Sequence, residues 1–262
     1  MVEHGTLIAS PPAETPRRIV SLVPSLTELL ADLGLGDRVV GVTRFCVHPP
    51  AWRRTKRVVG GTKTVDVAAV QILGPDLVLA NREENVREQV EAVATFASVY
   101  LTDVATLNDA LTMIRDVGTL TGTRREAEAL VGRIAEGFGV LEAFDPLQAS
   151  YFIWKDPWMT VGGDTFVHDV LTRAGFVNVF GDLRRYPEVT PEAVAAARPD
   201  VLLFSSEPFR FREKHVGAMR AACPEARVLF VDGEAFSWYG SRLLHTPEHV
   251  RTLREGLAAC VS

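Results

Sequence analysis

The stretch from Val65 to Leu79, VDVAAVQILGPDLVL, returns without a gap as VTPEAVAAARPDVLL from Val189 to Leu203. Each copy opens with a helix-capping residue, Asp66 or Thr190, and runs through one apolar helix. It then stops at a Pro-Asp turn and enters a short all-apolar run. A helix feeding a buried parallel strand has this pattern, because a strand covered on both faces has no polar side. Repetition half a chain apart predicts two α/β lobes, and small ligands usually sit in clefts between lobes. Chance recurrence of a common helix-turn-strand device is the competing explanation. The shared cap position, helix length and turn favour duplication.

The chain has 262 residues, 47% of them hydrophobic, enough for two ordinary domains with their own cores. A net charge of -5 argues against nucleic acid as a partner. Cys46, Cys223 and Cys260 are odd in number, widely spaced and free of any Cys-x-x-Cys spacing. They signal neither a disulfide framework nor a zinc site and read as buried or incidental thiols in a reducing compartment. Met1 to Arg18 lacks the basic-then-apolar order of a secretory signal, and no later stretch is apolar enough to span a bilayer. The expected location is the cytoplasm; an exported protein whose signal was removed is the alternative.

Along the chain, strands and helices alternate, which predicts parallel pairing. Ser25-Leu26-Thr27-Glu28 reads as a capping box opening a helix through Leu33, and Arg38 to Val42 as a strand. A loop with Arg44, Phe45, His48, Pro49, Pro50 and Trp52 leads to a Gly60-Gly61 turn. From Thr123-Arg124-Arg125-Glu126, a helical apolar stripe of Ala127, Leu130, Val131, Ile134, Phe138 and Leu141 predicts one long helix to about Ala143, bent near its glycines. The pattern then restarts: a strand from Tyr151 to Trp154, strand-like Met159 to Val161, and a helix after Gly162-Gly163-Asp164-Thr165. Asp232 to Arg242 reads as a long connection before a terminal helix capped by Thr246-Pro247-Glu248. The expected organisation is an N-terminal lobe over 17–121, a connecting helix over 122–145 and a C-terminal lobe over 149–262.

This ordered set resembles the substrate-binding proteins of cobalamin and iron-chelate importers. The residues that carry it are Arg18 to Ser25 with Thr27-Glu28, Val39 to Val42, Pro49-Pro50, Val59-Gly60, Pro75 to Val78, the central helix, Gly162 to Thr165 with Ala174-Gly175, and Pro199 to Val201. The likeness covers nearly the whole chain from Arg17. It implies two Rossmann-like lobes joined by one long helix, with a flat metal chelate, a corrinoid or an iron chelate, held between them. It implies binding without chemistry, so no catalytic residue, catalytic cofactor or resident metal is expected, and the working unit is a monomer.

Phe45 stands where the resemblance places a stacking aromatic, and Phe236, Trp238 and Tyr239 stand in the opposing loop, with Trp158 and Tyr186 as further ring candidates. Flat rings suit a corrin or porphyrin face. For Trp52 and Trp154 a loop-anchoring role is the better reading. Arg242 matches an arginine near the family's cleft and could clamp an anionic group, or equally tie a loop. Asp164 and Thr165 could cradle an anion at a helix start or simply cap it. His48 reads as a loop residue, and His245 and His249 share no helix face because Pro247 intervenes. Transporter-docked relatives present a glutamate from each lobe to a permease; Glu192 is such a residue, but Ala68 stands at the matching place. A doubtful permease partner and the missing signal together imply a cytoplasmic carrier or sensor.

Three rival readings remain at this point. An enzyme acting on a corrinoid or iron chelate could use Asp232 and Glu234 as acid and base, although no dinucleotide fingerprint, Walker loop, nucleophile elbow or zincin motif is found. An importer's binding protein for a ferric siderophore or haem is the second. An interaction module with a vestigial cleft predicts no saturable chelate binding at all.

Overall fold

The computed structural model describes residues 5–8, 12, 14–141 and 143–259. It divides into two compact units. The first gathers the chain up to Val104, Asn108–Ala135 and Tyr239–Arg242; the second holds Ala105–Leu107, Glu136–Trp238 and the chain from Leu243 onward.

The first unit is built from β1 (Gly5–Ile8), β2 (Ile19–Ser21), α1 (Pro24–Asp32), β3 (Val39–Val42), α2 (Trp52–Thr55) and β4 (Arg57–Val58). A short hairpin of β5 (Gly60–Gly61) and β6 (Thr64–Val65) follows, then α3 (Val67–Ile72), β7 (Leu77–Asn81), α4 (Arg87–Ala94) and β8 (Ser98–Thr102). Its sheet runs β1-β8-β7-β2-β3-β4, parallel except for β1, which lies antiparallel on β8. Val20, Val78, Ala80 and Val99 of the strands pack with Val70 of α3 and Val90 and Val93 of α4 in an aliphatic core.

Helices α5 (Leu107–Thr121) and α6 (Arg124–Gly139) come next. The boundary between units falls within α6, which ends at Gly139 rather than near Ala143. Ala127, Leu130, Val131 and Ile134 are buried on one face as the stripe predicts, but Val140 is exposed, so no apolar seam continues the helix further. A Cβ on Gly118 would lie 2.4 Å from that of Ala127, so glycine lets α5 approach α6 closely.

In the second unit come β9 (Leu147–Phe152), α7 (Phe166–Arg173), β10 (Phe176–Asn178), α8 (Pro191–Ala197), β11 (Val201–Ser205), α9 (Gly217–Ala222) and β12 (Arg227–Val231). Then α10 (Gly233–Ser237) and α11 (Thr246–Ala259) close the chain. Its four-stranded sheet, β10-β9-β11-β12, is wholly parallel. Here the core is aromatic: Phe152, Phe204 and Phe211 pack with Leu202, Val194 and Met219.

The repeat folds the same way twice. Asp66 caps α3 by accepting from Ala69 N at 2.9 Å, and Thr190 caps α8 by accepting from Ala193 N at 3.2 Å. The strands they feed, β7 and β11, are buried at every position. Each Pro-Asp aspartate then ties down the strand beside it. Asp76 accepts from Arg17 N and Arg18 N, both at 2.9 Å, at the entry to β2, and Asp200 accepts from Gln148 N at 2.8 Å in β9.

Several local expectations are corrected. Helix α1 begins at Pro24, whose fixed φ suits a first helical position, so Ser25 lies inside the helix and no side chain caps it. The Gly60-Gly61 turn is a strand of a hairpin. Trp52 begins a short helix, and Met159 to Val161 makes only isolated bridges, Met159 pairing with Trp154 and Glu188. The connection from Asp232 contains α10, with Asp232 accepting from Glu234 N at 3.1 Å as its cap.

Candidate functional site

In open α/β sheets, ligands are met beyond the carboxyl ends of the strands, where loops converge. In the first unit the turn after β3 lies at such an end. Thr43 and Cys46 are fully buried on either side of the outward residues, and the turn is closed by Cys46 N donating to Thr43 O at 3.1 Å. Thr27 Oγ1 donates to Cys46 Sγ at 3.0 Å, and Arg44 N donates to Gly60 O at 2.8 Å. Burial pushes the Cys46 thiol up, which keeps it protonated. The pinned turn leaves Phe45 53% exposed, with the Arg44 guanidinium 5.7 Å from its ring centre. Gly61 permits this: a Cβ there would lie 3.0 Å from both Phe45 Cε2 and Arg44 Nε. Cys46, not Phe45, anchors the loop.

Residues 239–242 belong to the same unit and are spoken for. Tyr239 is 7% exposed and donates to Glu84 Oε1 at 3.1 Å; burial first, then the Glu84 charge, pushes its phenol well up. Arg242 forks onto Glu28, Nη2 to Oε1 at 2.6 Å and Nε to Oε2 at 3.1 Å, with both side chains largely covered. Burial raises the Glu28 pKa while Arg242 opposes the shift. A Cβ on Gly240 would come 2.7 Å from Ser25 O, so glycine lets this segment press onto α1. Arg242 therefore ties a loop; its fork is filled by Glu28 and is not open to clamp a ligand.

In the second unit the ring candidates turn inward. Phe236 has no exposed surface, its ring 5.4 Å from Tyr151 and 5.9 Å from His249, so it packs inside the second unit. Trp238 is 6% exposed and its Nε1–H donates to Glu207 Oε2 at 3.1 Å, which also removes it as an open stacking wall. Trp158 stacks on Phe211 at 5.9 Å and meets Phe152 edge-on at 5.7 Å, with Lys155 Nζ 5.5 Å from its ring. It is half-buried, as is Tyr186. The cluster around Trp158 includes Phe204, Phe209 and Phe211, which sequence reasoning did not single out. A hollow of about 300 Å³ opens beside it, lined by Phe204, Phe211 and Phe230 with Ser206, Arg210 and Asp232. The Phe209-x-Phe211 pair after Pro208 was the available signal.

Gly162 and Gly163 do not cradle an anion. Cβ atoms there would lie 2.4 Å from Leu183 O and 2.1 Å from Gly181 O, so they let the backbone abut the 181–185 loop. Asp164 accepts from Arg185 N and faces Arg184 and Arg185, which together hold its carboxyl low, and Thr165 caps α7. His249 is tucked against Phe236, and among the described residues no group of His, Cys, Asp and Glu could hold a metal ion. Glu192 is exposed in the first turn of α8, its carboxylate held low by its own backbone amide and Thr190; Ala68, exposed on α3, stands at the matching place.

Two α/β units with mainly parallel sheets, related by an internal repeat, define the class: a ligand-binding protein of the periplasmic-binding-protein type. The model for the family described as periplasmic binding protein matches residues 19–220, and the chain belongs to that family. It is 30% identical over 251 residues to an uncharacterized ABC transporter substrate-binding lipoprotein of Bacillus subtilis, covering 90% of this chain and 79% of that protein. It is 25% identical over 260 residues to the vitamin B12-binding protein of Pectobacterium atrosepticum, covering 94% and 91%. The solved periplasmic vitamin B12-binding protein of Vibrio cholerae shares the fold with a TM-score of 0.78 at 22% identity, covering 92% of this chain and 97% of that one. Among the described residues no helix is long and apolar enough to cross a membrane.

Proposed function

We propose that the protein binds a large metal chelate, with a corrinoid first in order and haem or a ferric siderophore after it. Phe45 carries the reading. Its ring is half-exposed on a turn whose neighbours are buried, so the turn presents an apolar face that the fold itself does not use. Such a ring offers a corrin or porphyrin plane much contact area at little entropic cost. The vitamin B12-binding relatives support the corrinoid as the first choice. A thermal-shift panel with cyanocobalamin, cobinamide, haemin and a ferric trihydroxamate tests it, since a ligand that prefers the folded form raises its melting temperature with the logarithm of its excess. A shift with at least one member, lost in Phe45→Ala, supports the proposal; a flat response to all four removes it.

A second reading concerns delivery. Glu192 has no acidic counterpart at Ala68, which favours a cytoplasmic carrier or sensor over two-point docking on a permease. Cell fractionation and a reconstituted pull-down test this reading. Export of the protein, or tight ligand-dependent capture by a permease, overturns it.

A further inference from the structure

Between Asp37 and Asp66 the chain carries seven Arg and Lys residues and no acidic one, although the whole protein has a net charge of -5. The fold gathers part of this charge in one place. A hollow of about 430 Å³ on the first unit is lined by Arg44, Arg53 and Arg54, with Pro50 and Val58 as apolar walls. Arg44 is held there by a hydrogen bond from Nη2 to Thr64 Oγ1 at 2.9 Å, and it is the same residue whose guanidinium lies by the Phe45 ring. Arg53 and Arg54 are exposed, project from α2, and make no ion pair among the described residues. The neighbouring basic residues are differently engaged: Lys56 Nζ donates to Gly36 O at 2.6 Å, and Lys63 Nζ to Glu83 O at 2.5 Å.

Three guanidiniums facing one hollow repel one another, and apolar walls strengthen that repulsion by lowering the local dielectric. An anion reverses the sign of the interaction, because each guanidinium presents a planar fork that matches two oxygens of a carboxylate or phosphate. From this juxtaposition beside Phe45 we infer that the hollow binds anionic oxygen groups appended to the chelate, so that the ligand's ring meets Phe45 while its charge meets Arg44, Arg53 and Arg54. The inference rests on the chelate reading above. The shared chemistry is an anionic oxygen group, whether the phosphodiester of a corrinoid's nucleotide tail or the carboxylates of a porphyrin.

The test uses the full chain, its Arg53→Gln/Arg54→Gln variant and an Arg53→Lys/Arg54→Lys variant. Both arginines are exposed, so the free variants should melt no lower than the wild type, and the Gln variant, relieved of mutual repulsion, at the same temperature or slightly above it. Inorganic pyrophosphate alone probes the hollow. Two matched pairs probe the chelate: cobalamin against cobinamide, which lacks the nucleotide phosphate, and iron protoporphyrin against its dimethyl ester. The expected result is that pyrophosphate stabilises the wild type but not the Gln variant. In at least one pair, the preference for the anionic member should fall by about tenfold or more in the Gln variant and by less in the Lys variant, which keeps charge but loses the fork. The pair that responds identifies the source of the anion. The same preference in wild type and Gln variant for both pairs overturns the inference, even where pyrophosphate binds, and leaves the chelate reading standing. If no chelate binds any of the three proteins, the chelate reading falls. Pyrophosphate stabilising only the wild type then keeps the hollow as an anion site, and pyrophosphate without effect overturns it.

Discussion

The tie between Arg242 and Glu28 is the sharpest place to test whether the residues 239–242 hold the fold or hold a ligand. Two unit charges about 4 Å apart attract by about 4 kcal/mol at an effective dielectric of about 20, and desolvation returns much of it. Exposed pairs contribute below about 1 kcal/mol, whereas removing one partner of a buried pair costs about 3–5 kcal/mol. With side chains only 17% and 16% exposed and a two-bond fork at 2.6 and 3.1 Å, this pair lies near the buried limit. Glu28→Gln and Arg242→Met should therefore each lose about 2–3 kcal/mol, and the double variant little more than either, a coupling of about 2 kcal/mol. Urea unfolding of the four proteins measures it, with the transition of the first unit followed separately, because two units need not unfold as one. The coupling should survive about 0.5 M salt, since covered charges are screened little. A coupling below about 0.5 kcal/mol, or one abolished by salt, would refute the argument and return Arg242 to the pool of ligand-binding groups.

Phe45→Ala should cost affinity: covering the exposed half of a ring that can bury about 200 Å² removes about 100 Å² from water, about 2.5 kcal/mol or about 60-fold in Kd by calorimetry with the chelate that binds. Trp238→Ala should act on the fold instead, lowering the urea midpoint by the equivalent of about 3 kcal/mol; a full-strength fold with lost binding would put the indole back in the site. Asp76→Ala should destabilise more than Asp200→Ala, by about 2–3 against about 1–1.5 kcal/mol, because Asp76 serves two amides and Asp200 one, and equal losses would break the parallel. Burial holds the His249 imidazole below its usual value, with Asp232 opposing. As pH falls below about 6.5 the unfolded chain takes up a proton that the folded one still refuses, so stability is full above that pH and declines through the window down to the folded value. His249→Gln should flatten that part of the pH profile, and an unchanged slope would mean another group is responsible.

Local chemistry was legible. Asp66 and Thr190 announce their helices because a cap reaches only three residues ahead, and the all-apolar runs of β7 and β11 announce burial on both faces. What stayed hidden depends on partners far away in the chain. Nothing near Phe236 says that Tyr151 and His249 will enclose it, and nothing near Arg242 says that Glu28 will fill its fork. Loop aromatics thus looked available when tertiary packing had claimed them. Phe45 differs because its immediate neighbours, Thr43 and Cys46, do the anchoring. The strand Gly5–Ile8 was missed because a short edge strand draws its order from Ser98–Thr102, across almost the whole first unit. The arginines of the basic hollow were read as loop residues or passed over, since their grouping needs β3, α2 and β4 set side by side.

The path of the polypeptide makes the halves inseparable by a simple cut. Severing the gene within α6 would deprive the leading fragment of Tyr239–Arg242, leaving Glu28 without its guanidinium and Glu84 without the phenol, while Ala105–Leu107 would be stranded away from the trailing fragment. Each unit is thus completed by a strip synthesised outside its own main span, so neither fragment would carry every residue of its half.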